Sequence, residues 1–106
     1  MKRALPFLAV ALLLAGCGTG GKAESHGADV QTGQKLFTQS CGGCHTLAAA
    51  GTHGTIGPNL DQLKPSEAIV QHQVEVGGGV MPAFKGRLSG AQIMAVAKYV
   101  SASAGK

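Results

Sequence analysis

The chain has little of what an independent protein core is usually built from. Its 106 residues include no tryptophan and only four aromatic residues, Phe7, Phe37, Phe84 and Tyr99. This length allows one small domain, which excludes a two-domain enzyme. Three cysteines are too few for a disulfide-rich scaffold. No apolar run approaches the roughly 20 residues needed to span a bilayer, which excludes a transmembrane bundle.

Acidic residues are also scarce, but the formal charge of +4 overstates how basic the mature chain is. Lys2 and Arg3 precede a 12-residue apolar run over residues 4–15, and this order is typical of a secretory signal peptide. Removal of residues 1–16 leaves seven basic and five acidic residues, a net charge of +2 with no basic block. Nucleic acid is therefore not expected as a partner.

The end of the signal peptide contains a lipobox-like sequence, Leu14-Ala15-Gly16-Cys17. In a bacterial lipobox the cysteine thiol receives a diacylglyceryl group and becomes the mature N-terminus. The sequence thus predicts lipidation of Cys17, with an ordinary signal peptide as the alternative. Two acyl chains hold far better than a single myristoyl chain, so we expect a membrane-anchored lipoprotein on the periplasmic or outer-surface side.

A Gly-rich segment over residues 17–28 follows and contains no large apolar side chain. Such a segment cannot offset the entropy lost on ordering, so we expect a flexible tether with a root-mean-square reach of roughly 18 Å. His26 lies in this tether and is expected to be solvated. The folded domain is predicted over residues 29–106, and a domain this small is marginal unless another group stabilises its centre.

The folded domain shows helical periodicity and no sustained two-residue alternation. A first helix is predicted over residues 29–40, with Asp29 as its N-cap. A second is predicted to begin with Pro65 in its first turn and to end before Gly77. A third follows a capping box at Ser89–Gln92. We therefore predict an all-α domain of three main helices.

The chemical signature of the chain is Cys41-Gly42-Gly43-Cys44-His45. Cys-x-x-Cys-His is typical of covalent haem c attachment. Thiols three positions apart lie about one helical turn apart, which suits addition to the two vinyl groups of one porphyrin. The next side chain, His45, can then bind the iron. Gly42 and Gly43 are expected to let the backbone pass close to the macrocycle.

Two other uses of these residues fit the sequence less well. A thioredoxin-like redox pair requires a βαβ context, which the helical pattern lacks. A zinc site would need Cys41, Cys44 and His45 to spread tetrahedrally, and no fourth ligand follows at zinc-finger spacing. Because haem is attached outside the cytoplasm, the signal peptide also agrees with the haem reading. We predict one covalent haem c per chain.

Further motifs accompany the haem motif in a characteristic order: Gly33, Phe37, Gly57-Pro58-Asn59-Leu60, Val80-Met81-Pro82-Ala83-Phe84 and Tyr99 in the last helix. With these motifs, residues 29–102 resemble a class I cytochrome c of the short, single-haem bacterial kind. The resemblance implies an all-α fold with haem in a cleft between loops. It also implies that the N- and C-terminal helices cross where Gly33 and Phe37 meet Tyr99.

The resemblance assigns axial and orienting roles. Met81 would be the distal ligand opposite His45, and Met94, inside the last helix, is the rival sulfur. Pro58 would present its carbonyl to the Nδ1–H of His45, which fixes the tautomer of a ligating histidine. A simple rigid turn is the alternative for Pro58.

Four other residues are candidates for the haem pocket or for an axial position. Leu60 and Phe84 would line the haem pocket, although ordinary core positions are the alternative. His53 lies in a polar Gly-rich loop and His72 lies in the middle of the second helix. Either histidine is an alternative to Met81 as axial ligand, but solvated or hydrogen-bonded side chains are expected.

Two filled axial positions leave no open site on the iron, so an electron carrier is predicted rather than an enzyme. The predicted setting is an extracytoplasmic, respiratory-type chain. One alternative is a haem peroxidase or gas-binding sensor whose sixth ligand is labile. Another is a fixed electron-entry subunit of a larger oxidoreductase.

Redox proteins are the expected partners, with brief contacts typical of electron transfer. The chain itself is expected to be a monomer. Lys35, Lys64, Lys85 and Arg87 could surround the haem edge and steer acidic partners, with ordinary solubility charge as the alternative.

Overall fold

A computed structural model of the protein describes the backbone of residues 22–106 and the side chains of residues 30–106. Its elements in chain order are α1 (Lys22–Ser40), β1 (Thr46–Leu47), a short 3-10 helix (Ala48–Ala50), β2 (Thr52–His53), α2 (Leu60–Leu63), α3 (Glu67–Val76) and α4 (Gly90–Ser103). The three long helices are those that the sequence predicted. The single-turn α2 and the antiparallel β1–β2 hairpin are additions, too short to leave a periodic pattern.

The first helix begins earlier than predicted. α1 starts at Lys22 rather than at Asp29, so residues 22–28, assigned above to the flexible tether, are helical. Lys, Ala and Glu at positions 22–24 are good helix formers, and extending an existing helix costs less than nucleating one. The signal peptide, Cys17 and the start of the tether lie outside the described residues. No helix in the described part is long and apolar enough to cross a membrane.

α1 and α4 cross in close contact at Gly33. A Cβ at this position would lie 2.7 Å from the Cβ of Tyr99 and would also meet the Ala95 carbonyl, so only glycine allows this approach. One turn later, the rings of Phe37 and Tyr99 pack with centroids 6.2 Å apart at 57°, within the range that aromatic pairs prefer. The predicted meeting of Gly33 and Phe37 with Tyr99 is confirmed.

The core is small and lies along the contact of α4 with α1 and α3. Its largest fully buried side chains are Phe37, Leu47, Val96 and Val100, each of which stabilises the fold by about 1.5–3 kcal/mol relative to exposure. Tyr99 is also buried, and its hydroxyl makes no hydrogen bond to any group within residues 30–106. Burial raises the pKa of that hydroxyl. Few large side chains thus hold the helices together.

Side-chain caps fix where the later helices begin. Ser66 accepts a hydrogen bond from the Ile69 N–H at 3.3 Å, so α3 starts at Glu67 and Pro65 precedes the cap rather than occupying the first turn. Ser89 accepts from the Gln92 N–H at 3.1 Å, and the Gln92 side chain accepts from the Ser89 N–H at 2.8 Å. The predicted capping box of α4 is confirmed.

Loss of the α4 capping box is expected to destabilise the domain. Ser89→Ala should lower the free energy of unfolding by about 1 kcal/mol, because it leaves an N-terminal N–H of the helix unpaired. Ser101→Ala is the control, since its hydroxyl donates to the Lys98 carbonyl within the same helix and a change below about 0.5 kcal/mol is expected. Chemical denaturation of both variants measures the difference. Equal losses would contradict the capping role.

Candidate functional site

A cleft of about 420 Å³ brings together residues that are far apart in the sequence. Cys41, Cys44, His45 and Met81 all line it. Of the described residues that line it, none is a Lys, Arg, Asp or Glu. The volume is in the range of small-molecule and cofactor sites, which are typically apolar with a few placed polar groups.

All four α-helices contribute apolar side chains to the lining of the cleft. It includes Phe37, Leu60, Leu63, Val70, Val74, Phe84, Val96 and Val100. Leu60 and Phe84 therefore lie where the resemblance implied. Both are also members of the hydrophobic core, so each side chain belongs to the core and lines the cleft at the same time. Walls of this kind suit a large apolar ring.

The two cysteines lie on a turn that continues α1. The N–H of Cys41 donates to the Phe37 carbonyl at 2.8 Å, and the N–H groups of Cys44 and His45 donate to the Cys41 carbonyl at 3.1 and 3.0 Å. This turn places both thiols and the imidazole along the same cleft. Gly42 lies against the β hairpin, where a Cβ would be 2.5 Å from Thr52 Cγ2, so it makes room for Thr52.

The imidazole of His45 is oriented by the Pro58 carbonyl, 2.8 Å from Nδ1. Because a carbonyl oxygen only accepts, this contact places a proton on Nδ1, and in the neutral imidazole the lone pair of Nε2 is then free for a metal. The predicted Pro58–His45 contact is therefore present. The orienting role of Pro58 towards a ligating His45 stays a prediction.

Gly57 supports the same imidazole from the neighbouring position. A Cβ on Gly57 would lie 2.5 Å from Cε1, 2.9 Å from Nδ1 and 3.0 Å from Nε2 of His45. Gly54 lies equally close to the backbone of the haem motif, since a Cβ on Gly54 would lie 2.6 Å from the backbone nitrogen of His45. The Gly57-Pro58 pair is visible in the sequence, but its packing against His45 is not. Two glycines close to a histidine are a weak signal without the fold.

Met81 is presented to the cleft by a glycine-rich loop. Gly78 and Met81 exchange two backbone hydrogen bonds of 3.0 Å across a two-residue turn. Gly77 ends α3 at φ +64, and a Cβ there would lie 2.6 Å from the Met81 carbonyl. The N–H of Phe84 donates to the Val74 carbonyl at 2.8 Å, which ties the far end of the loop to α3. The loop is thus held at both ends.

The rival ligands do not line the cleft. His53 and His72 are exposed, and Met94 is half-buried on α4. Among the described residues, Met81 is therefore the methionine that the fold places beside His45 and the cysteines. The geometry favours Met81 over all three alternatives.

The environment of the motif thiols does not favour a redox-active cysteine pair or a zinc site. Burial raises the pKa of the Cys41 thiol to about 11, and the nearby Cys44 adds to the shift. Redox and zinc-binding cysteines act as thiolates. Within residues 30–106, no three His, Cys, Asp or Glu side chains group as ligands for a free metal ion.

Four cations predicted near the haem edge lie outside the cleft lining. Lys35, Lys64, Lys85 and Arg87 are all exposed. Arg87 has a defined relation to the site, because its guanidinium carbon lies 5.7 Å from the centroid of the Phe84 ring. This distance is within the range of a cation–π contact.

The described residues fit a covalently attached haem. Two thiols at the attachment spacing and a histidine with a free Nε2 line one apolar cleft, and a methionine thioether lies in the same lining. Haem is a flat apolar ring with iron at its centre. In a small helical domain with few large side chains, such a ring would fill the cleft and add to the hydrophobic core.

Comparisons with known proteins agree with this site. The family model for "Cytochrome C oxidase, cbb3-type, subunit III" matches residues 28–100. Cytochrome c6 of Leptolyngbya boryana is 42% identical over 78 residues, covering 69% of this chain and 91% of that protein. Cytochrome c-551 of Bacillus subtilis (strain 168) is 33% identical over 105 residues, covering 88% and 87%.

A solved structure shows the same fold. The c-type cytochrome SorU from Sinorhizobium meliloti superposes with a TM-score of 0.71 at 44% identity, over 76% of this chain and 95% of that one. The predicted small all-α cytochrome c fold is thereby confirmed. The chain belongs to the cytochrome c family and is a small electron carrier with one covalently bound haem c.

Proposed function

We propose that the protein carries one electron at a time outside the cytoplasm, on a haem c joined to Cys41 and Cys44, with His45 and Met81 as axial ligands. The observation that supports this most is the convergence of all four side chains on one cleft. The haem supplies the Fe(II)/Fe(III) couple. The protein supplies two side-chain ligands, leaving no coordination position for a substrate.

Each ligand has an electronic effect that follows from its chemistry. The Pro58 carbonyl holds the proton of His45 on Nδ1 and raises the basicity of the ligating nitrogen. The thioether of Met81 is a soft ligand, which favours the reduced iron and raises the potential relative to a second imidazole. The apolar lining limits water around the site, which likewise disfavours the more highly charged oxidised state.

An absorption spectrum together with intact mass tests the proposal. The expressed protein should show a haem covalently added to the chain, a low-spin spectrum and no ready uptake of carbon monoxide by the reduced form. Carbon monoxide binding by the unaltered protein would instead support the peroxidase or gas-sensor alternative. A colourless product from a host able to mature cytochromes c would contradict the haem assignment.

We further propose that Cys17 is lipidated and anchors the protein to a membrane on its periplasmic or outer-surface side, in a respiratory-type chain. Support comes from the sequence, where Cys17 follows a basic start, an apolar run and Leu14-Ala15-Gly16. Residues 17–21 and the N-terminal part of α1 then separate the anchor from the cleft.

Removal of the lipidation site is expected to release the protein. Cys17→Ser should move it from the membrane fraction to the soluble fraction, because the two acyl chains lose their attachment point. Cell fractionation with immunoblotting measures the distribution, and intact mass shows whether the acyl chains are present. The control is Ser25→Ala, a substitution eight residues after Cys17 that leaves the lipidation site intact. Persistent membrane attachment of the Cys17 variant would overturn the anchor.

A second candidate is a fixed electron-entry subunit of a larger oxidoreductase. The match to a family model described as an oxidase subunit favours it. Purification in mild detergent separates the two: a free shuttle elutes as a monomer, whereas a subunit elutes with its complex. In either case the exposed Lys35, Lys64, Lys85 and Arg87 are proposed to attract acidic redox partners, with an affinity that falls as salt rises.

A further inference from the structure

Asp61 joins two segments that are distant in the sequence. One carboxylate oxygen accepts the Ala48 N–H at 2.8 Å, and the other accepts the Gly105 N–H at 2.9 Å. Ala48 follows the haem motif closely, while Gly105 follows α4. The two donors lower the pKa of the Asp61 carboxyl, so the group is ionised at neutral pH and both bonds are charge-assisted.

The C-terminal side of this contact is built for glycine. Gly105 has φ +76, a left-handed conformation, and a Cβ there would lie 2.5 Å from Cε of Lys64 and 3.2 Å from the Asp61 carbonyl. The preceding Ala104 is buried and donates its N–H to the Val100 carbonyl. The last residues of the chain are thus packed on α2.

α2 needs external support because it is a single turn. Four residues do not form a stable helix on their own. Within the turn, the Asn59 side chain accepts from the Asp61 N–H at 3.0 Å, and Leu60 is buried. The carboxylate of Asp61 adds the two bonds that fix this turn to the start of the 3-10 helix and to the residues that follow α4.

The same short segment carries the group that orients the histidine. Pro58, whose carbonyl lies 2.8 Å from His45 Nδ1, precedes Asp61 by three residues. Movement of α2 relative to the 3-10 helix would therefore lengthen or tilt the Pro58–His45 hydrogen bond. No side chain of the cleft lining needs to change for this to happen.

We propose that Asp61 is a positioning residue: its two hydrogen bonds, to Ala48 and Gly105, hold the Pro58 carbonyl in place against His45 and thereby set the reduction potential. The proposal rests on the proposed axial role of His45. A loosened Pro58–His45 bond makes the imidazole a weaker donor, which stabilises the oxidised iron less and raises the potential.

Two variants break the contact with different changes in charge. Asp61→Asn removes a negative charge and one of the two acceptor oxygens. Gly105→Ala leaves the charge unchanged and strains the backbone that donates the Gly105 N–H to Asp61. Glu67→Gln removes an acid from the first turn of α3 and controls for charge alone. Gly90→Ala controls for a glycine substitution, because the new Cβ would meet no described atom within 4 Å beyond its chain neighbours and the adjacent helix backbone. All four are made as the full chain with haem attached.

The readouts are the reduction potential, the ring-proton shifts of His45 and the amide hydrogen exchange of Ala48. We expect Asp61→Asn and Gly105→Ala both to raise the potential and shift the His45 ring protons, and exchange at Ala48 to quicken about tenfold or more as the bond opens. Glu67→Gln should give a smaller potential shift than Asp61→Asn, and Gly90→Ala none.

Two results would overturn the proposal. One is a potential that is unchanged in Gly105→Ala while Asp61→Asn merely equals Glu67→Gln, because Asp61 would then act only through its charge. The other is faster exchange at Ala48 with His45 signals and potential unchanged, which would leave Asp61 purely structural. If His45 is not an axial ligand, its signals lack the haem-induced shifts already in the unaltered protein, so failure of the proposed function is recognised separately.

Discussion

Gly57→Ala is expected to prevent normal haem ligation. The added Cβ would occupy space 2.5 Å from His45 Cε1 and 2.9 Å from Nδ1, so the imidazole must move away from the Pro58 carbonyl. Overpacking of this kind costs about 1–3 kcal/mol, and moving the imidazole also breaks its Nδ1 hydrogen bond. The yield of haem-loaded protein should fall severalfold, and the remainder should lose its low-spin spectrum.

Gly90→Ala is the matched control for that experiment. A Cβ at Gly90, the first residue of α4, would meet no described atom within 4 Å beyond its chain neighbours and the adjacent helix backbone, and alanine has the higher helix propensity. Its yield and spectrum should equal those of the unaltered protein, with stability equal or slightly higher. Absorption spectra and haem-to-protein ratios measure the spin state and the haem loading of the two variants. A normal low-spin spectrum from Gly57→Ala would contradict the packing of His45 against Gly57.

Met81→Ala is expected to open the iron while leaving the haem attached. On the proposed ligation, Cys41 and Cys44 would still hold the ring and His45 would still bind the iron, whereas the thioether of Met81 is lost. The spectrum should change from low to high spin, and the reduced protein should change from no carbon monoxide uptake to about one per haem. The reduction potential should fall, because the soft ligand that favours reduced iron is gone.

Met94→Ala separates loss of a ligand from loss of a methionine. Met94 is half-buried on α4 and does not line the cleft, so its removal should cost some stability but leave the spectrum and the potential unchanged. The same optical titration with carbon monoxide measures both variants. An unchanged spectrum in Met81→Ala, or a changed one in Met94→Ala, would reassign the axial ligand. His53 and His72 would then be tested in the same way.

Long periodic segments and tightly spaced motifs were predictable from the sequence. The α3 and α4 helices follow from apolar spacing and caps, and the capping box at Ser89–Gln92 was correct in both of its hydrogen bonds. Cys41, Cys44 and His45 were identified because their chemistry depends on local spacing, which the sequence displays directly. Met81 and Pro58 were reached through the family resemblance, and both lie at the cleft.

Close backbone approaches were not predictable in the same way. Gly42 was expected to clear the macrocycle, yet the structure packs it against Thr52. The sequence predicts that α1 starts at Asp29, because aspartate is a favoured N-cap residue, yet the helix begins at Lys22. The contacts of Asp61 with Ala48 and Gly105 gave no signal, since they join positions 13 and 44 residues apart.

The sequence by itself determined the chemistry of this protein, because haem attachment needs two thiols and a histidine at fixed local spacing. It also determined the helices, since periodicity and caps act within a few residues. The tertiary structure decided which sulfur and which carbonyl share the cleft with His45, and which glycines lie against it. Those outcomes depend on contacts between distant segments, and such contacts form only when the helices pack.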